Sequence, residues 1–362
     1  MMKQYESIVI GGGPAGLKAA HALLSSGAKV CVIDRNASLG GQLIKQTHMF
    51  FGSEKQHAST RGIDIQKKLL ADVMAFGSKV EIMSETHVVG VYEDKVIACL
   101  QGDNFFKLRA GTIVIATGAS EKHLPFENND LPGVYAAGAV QTLMNEYGVK
   151  PGMRTLMVGS GNIGLIVTYQ LLQAGVDVVA LVEAAPQISG YHVHASKIKR
   201  HGVEIFTGTS VKRAVGKTSV EQVELWDLDT AWKGIEGSER VFDVDTICIS
   251  VGLAPLTELF QQVGARVQYI RELGGNVPVI DDTYETTIDS VYACGDVVGI
   301  EEASSAMVEG AITGIHAATR LGYSVPDKDE QLKTLHDELI FLRNGPHAAK
   351  IRRGYAKRGV KA

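Results

Sequence analysis

The stretch SIVIGGGPAGLKAAHALLSSGAKVCVIDR, residues 7–35, decides the fold, because the chain carries it twice. Its counterpart is TLMVGSGNIGLIVTYQLLQAGVDVVALVEA, residues 155–184. Gly11, Gly13, Gly16 and Gly27 recur as Gly159, Gly161, Gly164 and Gly175, at a constant offset of 148 residues. Each copy reads as an apolar strand, a glycine turn, an amphipathic helix and a second apolar strand ending on an acid.

Physical needs select these residue types. The first glycine allows a tight turn, and the second lets backbone approach a pyrophosphate. The third lets helix and strand pack closely, while the helix start offers amide donors and the positive end of its dipole. Asp34 and Glu183 fall 23 and 24 residues after the first glycine of their copies, where a carboxylate can accept from a ribose diol. One such motif is weak evidence; two copies in strand context, each with its acid, are strong. Each of the segments TIVIATGAS (112–120) and TTIDSVYACGD (286–296) reads as a short apolar strand entering a turn, and the latter delivers Asp296 to a strand end.

The second glycine motif thus lies inside a fold that begins with the first and resumes near residue 277. The expected class is α/β, with two Rossmann-like dinucleotide-binding domains. Each should be three-layered around a parallel central sheet, the second inserted in the first. Residues 1–121 and 277–325 form the outer domain in this reading and 150–255 the inserted one. Residues 122–149 and 256–276 are connections, and 326–362 a basic tail. The inner site is expected to take NAD rather than NADP, since Glu183 would repel a 2′-phosphate and the adjoining LVEAAPQ has no arginine. Lys197 and Arg200 lie farther along.

Bulk properties agree with a soluble two-domain chain. Its 362 residues carry a net charge of −4, which argues against a general polyanion binder, and no nucleic-acid-binding module is recognisable. Cysteines stand at 31, 99, 248 and 294, so no C-x-x-C exists, and a thioredoxin-type pair or a local iron–sulfur or zinc site is disfavoured. Cys31 and Cys248 sit in apolar runs and read as small core hydrophobes. The N-terminus enters a strand without an apolar signal core, and 18 uncharged apolar residues never run together. A cytoplasmic protein with no transmembrane segment is expected.

The set VIGGGPAG, VIDR, GGQ, ATGA, VGSGNIG and CGD resembles the two-dinucleotide-domain flavoprotein superfamily that includes thioredoxin reductase, over about residues 5–322. LPFENNDLPGVYAAGAVQTLMN (124–145), the run from Tyr169 to Ile205 and GDVVGIEEASSAMVEGAITG (295–314) resemble one branch more closely. That branch is the FAD/NAD-binding alpha subunits of heteromeric sarcosine oxidases and of proline, hydroxyproline and opine dehydrogenases or oxidases, with hydrogen cyanide synthase nearby. The resemblance implies FAD in the outer domain and NAD, or another adenine nucleotide, in the inner one. It also implies a D-amino-acid-oxidase-like beta subunit that oxidises the amine, a hetero-oligomer, and possible further help from a small iron–sulfur subunit. FMN at a subunit interface or a [2Fe–2S] centre would come only with partner chains, because the stretch after residue 326 has no cysteine.

By the same resemblance Gly11, Gly13, Pro14, Ala15 and Gly16 cradle the FAD pyrophosphate. Asp34 and Arg35 lie at the adenosine ribose, while Gly41, Gln42 and Thr47 continue along the cofactor. Ala116, Thr117 and Gly118 form a small-residue turn, and Gly295 and Asp296 face the ribityl and pyrophosphate region. The stretch 301–318 reads as a helix whose start, at Glu302, Ala303 and Ser304, points at the flavin and would stabilise its anionic reduced form by roughly 0.3–2 kcal/mol. Simple helix capping is the other reading of Ser304 and Ser305. Gly159, Gly161, Asn162, Ile163, Gly164 and Glu183 would hold the second nucleotide.

No catalytic residue is evident. Lys45 and His48 are weak candidates, His48 as a proton relay and Lys45 equally readable as a surface charge. Phe50 and Phe51 could cover a flavin or pack against a neighbour. His192 and His194, two apart, would face away from each other on a helix, so no metal site is expected. Residues 332–362 hold eight Lys and Arg against two acids, readable as a solvated end or as a docking surface for an acidic partner.

Three functions remain open on this reading. The first is an electron-transfer subunit of an amine or amino-acid dehydrogenase or oxidase, a flavin-dependent oxidoreductase without a redox disulfide. The second is a stand-alone NAD(P)H-dependent reductase of a protein or quinone. The third is a subunit that binds dinucleotides for structural or regulatory reasons.

Overall fold

A computed structural model describes residues 2–50, 53–345 and 348–359. The chain divides into two compact units, Met1–Ser120 with Ala254–Ala362, and Glu121–Leu253.

The first unit is built on a sheet whose strands run, in space, Val80–Met83, Val30–Ile33, Lys3–Ile10 and Asn104–Ile115, all parallel. The last of these is long enough to hold two neighbours on one edge. Residues 104–109 pair antiparallel with Val96–Gln101, which turns back into His87–Val91, and 113–115 pair parallel with Val291–Ala293. Burial on both faces explains the unbroken apolar runs. Ile8, Ile10, Ile113 and Ile115 join Phe260 and Leu339 on one side. Val9, Val30, Val32 and Val114 pack on the other against helices Pro14–Ser25, Gly62–Met74 and Ala303–Arg320.

The second unit repeats the plan with a five-stranded parallel sheet. Its order is Ile205–Thr207, Asp177–Glu183, Arg154–Val158, Thr246–Ile249 and Val134–Ala136. Helices Ala137–Asn145, Asn162–Gln173 and His192–Arg200 cover one face through Val140, Leu165, Leu171 and Ile198. An antiparallel sheet of Thr209–Val215, Gln222–Asp227 and Arg240–Asp243 covers the other through Val211, Val223 and Leu225.

Segments expected as connections carry structure of their own. Within 122–149 lie the edge strand Val134–Ala136 and the helix Ala137–Asn145, anchored by the fully buried Val140. Within 256–276 lie helix Glu258–Gln262, whose Phe260 is fully buried, and strand Val267–Ile270. The basic end forms helices Lys328–Leu342 and Ala349–Ala356. Leu339 is buried in the core of the first unit and Arg343 pairs with Glu301 and Glu309, so the segment is folded structure rather than a solvated end. No described helix is long and apolar enough to cross a membrane.

Candidate functional site

Both glycine turns are built alike, down to individual hydrogen bonds. Gly11 and Gly159 have φ of +106° and +101°, and a Cβ at either would overlap a backbone oxygen, that of Ala116 or of Ser250. Only glycine meets both demands cheaply. Each turn is tied to its flanking strands: Gly11 N–H donates to Ile33 O (2.8 Å) and Gly159 N–H to Val182 O (2.7 Å). Ala116 and Ser250 donate back to Ile10 O and Val158 O at 2.8 and 2.7 Å.

The acids that close each second strand are held by the same backbone. Asp34 Oδ2 accepts from Gly12 N–H (2.7 Å) and its Oδ1 from Asn36 N–H (2.8 Å). Glu183 Oε2 accepts from Ser160 N–H (2.9 Å) and from the Ser160 hydroxyl, and its Oε1 from Ala185 N–H (2.9 Å). A carboxylate has about four lone-pair positions, so each acid keeps acceptor capacity for an incoming diol. The turn amide as a partner of the acid was not legible in the motif. The loop after each acid also returns to the turn, with Gly40 N–H on Gly12 O (2.7 Å) and Gly190 N–H on Ser160 O (2.8 Å). Gly41 lies close enough to Gly13 that a Cβ on it would approach the Gly13 Cα to 2.9 Å. The sequence shows the GGQ of 40–42 openly but hides the structural counterpart that begins at Gly190, where only the first glycine is kept.

Three helices present their starts. The first intrahelical bonds of Pro14–Ser25 and Asn162–Gln173 run from Leu17 to Gly13 O and from Leu165 to Gly161 O. The amides of Ala15 and Gly16, and of Asn162, Ile163 and Gly164, therefore precede them. Ala303–Arg320 begins at an extended Glu302, with no side-chain cap and no acid in its first turn. Ser304 and Ser305 are its second and third residues, both buried, so the capping reading is not what the structure displays. Predicted over 301–318, the helix runs two residues later at each end.

Gly295 joins these parts. A Cβ there would stand 2.7 Å from the Ala15 Cβ, so the Gly295–Asp296 turn lies directly against the start of the first helix. Asp296 is half-buried, and the solvent it loses raises its carboxyl from 3.8 to about 7. Ala116, Thr117 and Gly118 lie beside the first turn, where the Thr117 hydroxyl donates to Leu256 O (3.1 Å) and Gly118 O accepts from Leu256 N–H (3.0 Å). Thus Gly11, Gly13, Pro14, Ala15, Gly16, Asp34, Gly41, Ala116, Gly295 and Asp296 come together around one turn. Arg35 and Gln42 are exposed near it.

Lys45 ends a short 3-10 turn, Gly41–Lys45, and the Thr47 carbonyl accepts from Arg61 (3.0 Å). His48 stacks on Phe50, ring centroids 5.6 Å apart; Phe51 lies outside the described residues. His192 and His194 open a helix, and His194 leans on the Tyr191 ring. No group of three His, Cys, Asp or Glu able to hold a metal occurs among the described residues. Lys197, the nearest cation expected along the inner loop, lies over the Tyr169 ring at 3.7 Å.

All four thiols are free and buried. Burial pushes Cys31 up to about 12 and Cys99 up to about 11, and raises Cys248 and Cys294 further. Such thiols are poor nucleophiles.

Residues 5–310 match the model of the pyridine nucleotide-disulphide oxidoreductase family. The chain belongs to this family. Membership places it among flavin-dependent oxidoreductases. The chain is 27% identical to the alpha subunit of sarcosine oxidase from Corynebacterium sp. strain P-1, over 87% of its own length and 32% of that relative. It therefore spans about a third of that protein. It is 25% identical to an opine oxidase subunit from Agrobacterium tumefaciens strain Ach5, over 94% of this chain and 71% of that one. Among solved structures, L-proline dehydrogenase from P. horikoshii superposes with a TM-score of 0.72 at 24% identity, over 93% of this chain and 60% of that one. Thioredoxin reductase from T. acidophilum gives 0.72 at 21% identity, over 88% and 98%. These likenesses fix a fold of two dinucleotide-binding domains.

Proposed function

We propose that this chain is the FAD- and NAD-binding electron-transfer subunit of a multi-subunit amine or amino-acid dehydrogenase or oxidase, working without a redox disulfide. The observation that carries the proposal is the doubled glycine turn in a chain whose four thiols are all buried and unpaired. Relatives that are subunits of sarcosine and opine oxidases support the class of assembly.

The residues of the first unit suit FAD. The amides of Ala15 and Gly16 and the close pair Gly13–Gly41 offer donors and bare backbone to a pyrophosphate. Asp34 keeps acceptor capacity for a ribose, and Asp296, in the turn packed against the start of the first helix, would bind the ribityl or pyrophosphate region. The open starts of Pro14–Ser25 and Ala303–Arg320 favour negative charge on both pyrophosphate and reduced ring. Bound FAD would supply reversible two-electron chemistry; this chain's residues would bind it, orient it and set its charge environment. Residues 1–121 and 277–325 are assigned to this domain.

In the second unit, Glu121–Leu253, Gly159, Gly161, Asn162, Ile163, Gly164 and Glu183, all within the expected inserted domain 150–255, are assigned to NAD or another adenine nucleotide. Glu183 beside the turn and Lys197 turned onto Tyr169 favour a ribose without a 2′-phosphate. A D-amino-acid-oxidase-like beta subunit oxidises the amine in this proposal, docking on the outer side of segment 326–362. FMN or a [2Fe–2S] centre would be present only if partner chains supply it, and the proposed assembly works in the cytoplasm.

The test is co-expression of this chain with a D-amino-acid-oxidase-like chain from the same genome, followed by anaerobic mixing. The complex should contain FAD and be bleached by an N-alkyl or cyclic amino acid, while the isolated chain is not. A colourless, flavin-free complex would refute the proposal.

A further inference from the structure

Glu309 is the one charged residue between Ala303 and Gly314, and it is only 2% exposed. Its carboxylate gathers four donors. Oε2 accepts from the Gly295 backbone N–H at 2.9 Å. Oε1 accepts from Arg343 Nη2 (2.6 Å), the Tyr355 hydroxyl (2.9 Å) and the Tyr284 hydroxyl (3.2 Å). Arg343 also grips Glu301 through Nε at 3.0 and 3.1 Å and Nη2 at 2.6 Å. The Glu301 backbone N–H points at Asp296 Oδ1, 3.5 Å away. Two guanidinium groups lie over the Tyr355 ring, Arg343 at 3.9 Å and Arg358 at 4.3 Å, and Arg358 donates to Val298 O (2.7 Å). A closed circuit therefore runs from Gly295 through Glu309, Arg343 and Glu301 back to Asp296.

A backbone amide alone gives a weak hold on a turn. A buried carboxylate that a guanidinium fixes in turn gives a charge-assisted one. We infer that Glu309, Arg343 and Tyr355 are positioning residues for FAD, so that the C-terminal helices Lys328–Leu342 and Ala349–Ala356 complete the cofactor site by locking the Gly295–Asp296 turn. This inference rests on the reading that the first unit binds FAD. It assigns to the segment after residue 326 a role in the site itself, through residues 34 and 46 positions beyond Glu309.

The experiment measures the FAD dissociation constant of the full chain, stripped of cofactor and reconstituted, for the parent, Arg343→Lys, Arg343→Met and Tyr355→Phe. AMP affinity of the second unit and thermal unfolding of the cofactor-free chains are followed in parallel. Arg343→Met should weaken FAD binding by about tenfold or more and change the bound flavin's visible spectrum, with Arg343→Lys recovering part of both. Tyr355→Phe, which keeps the ring and drops one hydroxyl, should weaken FAD binding by a smaller factor while AMP affinity stays at the parent value. Unchanged FAD affinity and spectrum in Arg343→Met and Tyr355→Phe would overturn the inference while leaving FAD binding standing. Equal losses of AMP and FAD affinity would overturn it too, by showing general unfolding. A parent chain that takes up no FAD would overturn the inference together with the reading beneath it.

Discussion

Asp296 is where a single residue reports on the whole site. Burial raises its carboxyl to about 7; the Glu301 amide opposes this, and the charges of Glu309 and Glu301 add to it. The folded chain therefore binds this proton more tightly than the unfolded chain, whose carboxyl titrates near 3.8. Stability from that proton is present in full below about pH 4 and is lost as the pH rises through about 7. Asp296→Asn should then raise the thermal midpoint of the cofactor-free chain at about pH 8 and change it little at about pH 4. Thermal scans at the two pH values check this, and an equal shift at both would contradict it. At this scale the sequence was readable where sterics demand one residue type. Gly11 and Gly159 could be identified because a left-handed φ and a close backbone approach exclude side chains. The partners of the acids could not, since a turn amide has no side-chain signature. Glu309 left only a faint signal, the one charge in the apolar first part of its helix, and its partner Arg343 is distant in sequence.

Among elements, the pairing of helix Pro14–Ser25 with Ala303–Arg320 sets the site. Gly310 and Gly314 face Ala15 and Ala19 so closely that a Cβ at Gly310 would overlap the Ala15 carbonyl oxygen. Gly310→Ala should push the helices apart and cost about 1–3 kcal/mol in urea denaturation of the cofactor-free chain. It should also weaken FAD binding, because Gly295 sits at the same junction. A stability loss below about 0.5 kcal/mol would show that the junction yields easily. The paired strand–turn–helix units were legible because apolar strands, glycine spacing and terminal acids agree. Connections 122–149 and 256–276 hid short elements, whose few buried anchors, Val140 and Phe260, give no repeated pattern to read. In the C-terminal helices the charge of Arg343 and Arg358 masked an inward role, since a guanidinium looks the same in sequence whether solvated or paired.

For the whole molecule, the question is where electrons go after reaching the flavin. Family membership, two nucleotide folds and buried unpaired thiols support flavin-to-cofactor transfer as the proposed route. The two-domain class was readable from the repeat alone, whereas the amine substrate has no residues here to read it from under the proposed division of labour. The most direct test is anaerobic rapid mixing of the FAD-loaded chain, alone and with its oxidase-like partner, against NADH and against an amino-acid substrate. The amino acid should bleach this chain's flavin only when the partner is present, and NADH alone should support no turnover onto disulfide or quinone acceptors. Rapid NADH-driven turnover of such acceptors by the isolated chain would contradict the proposed role.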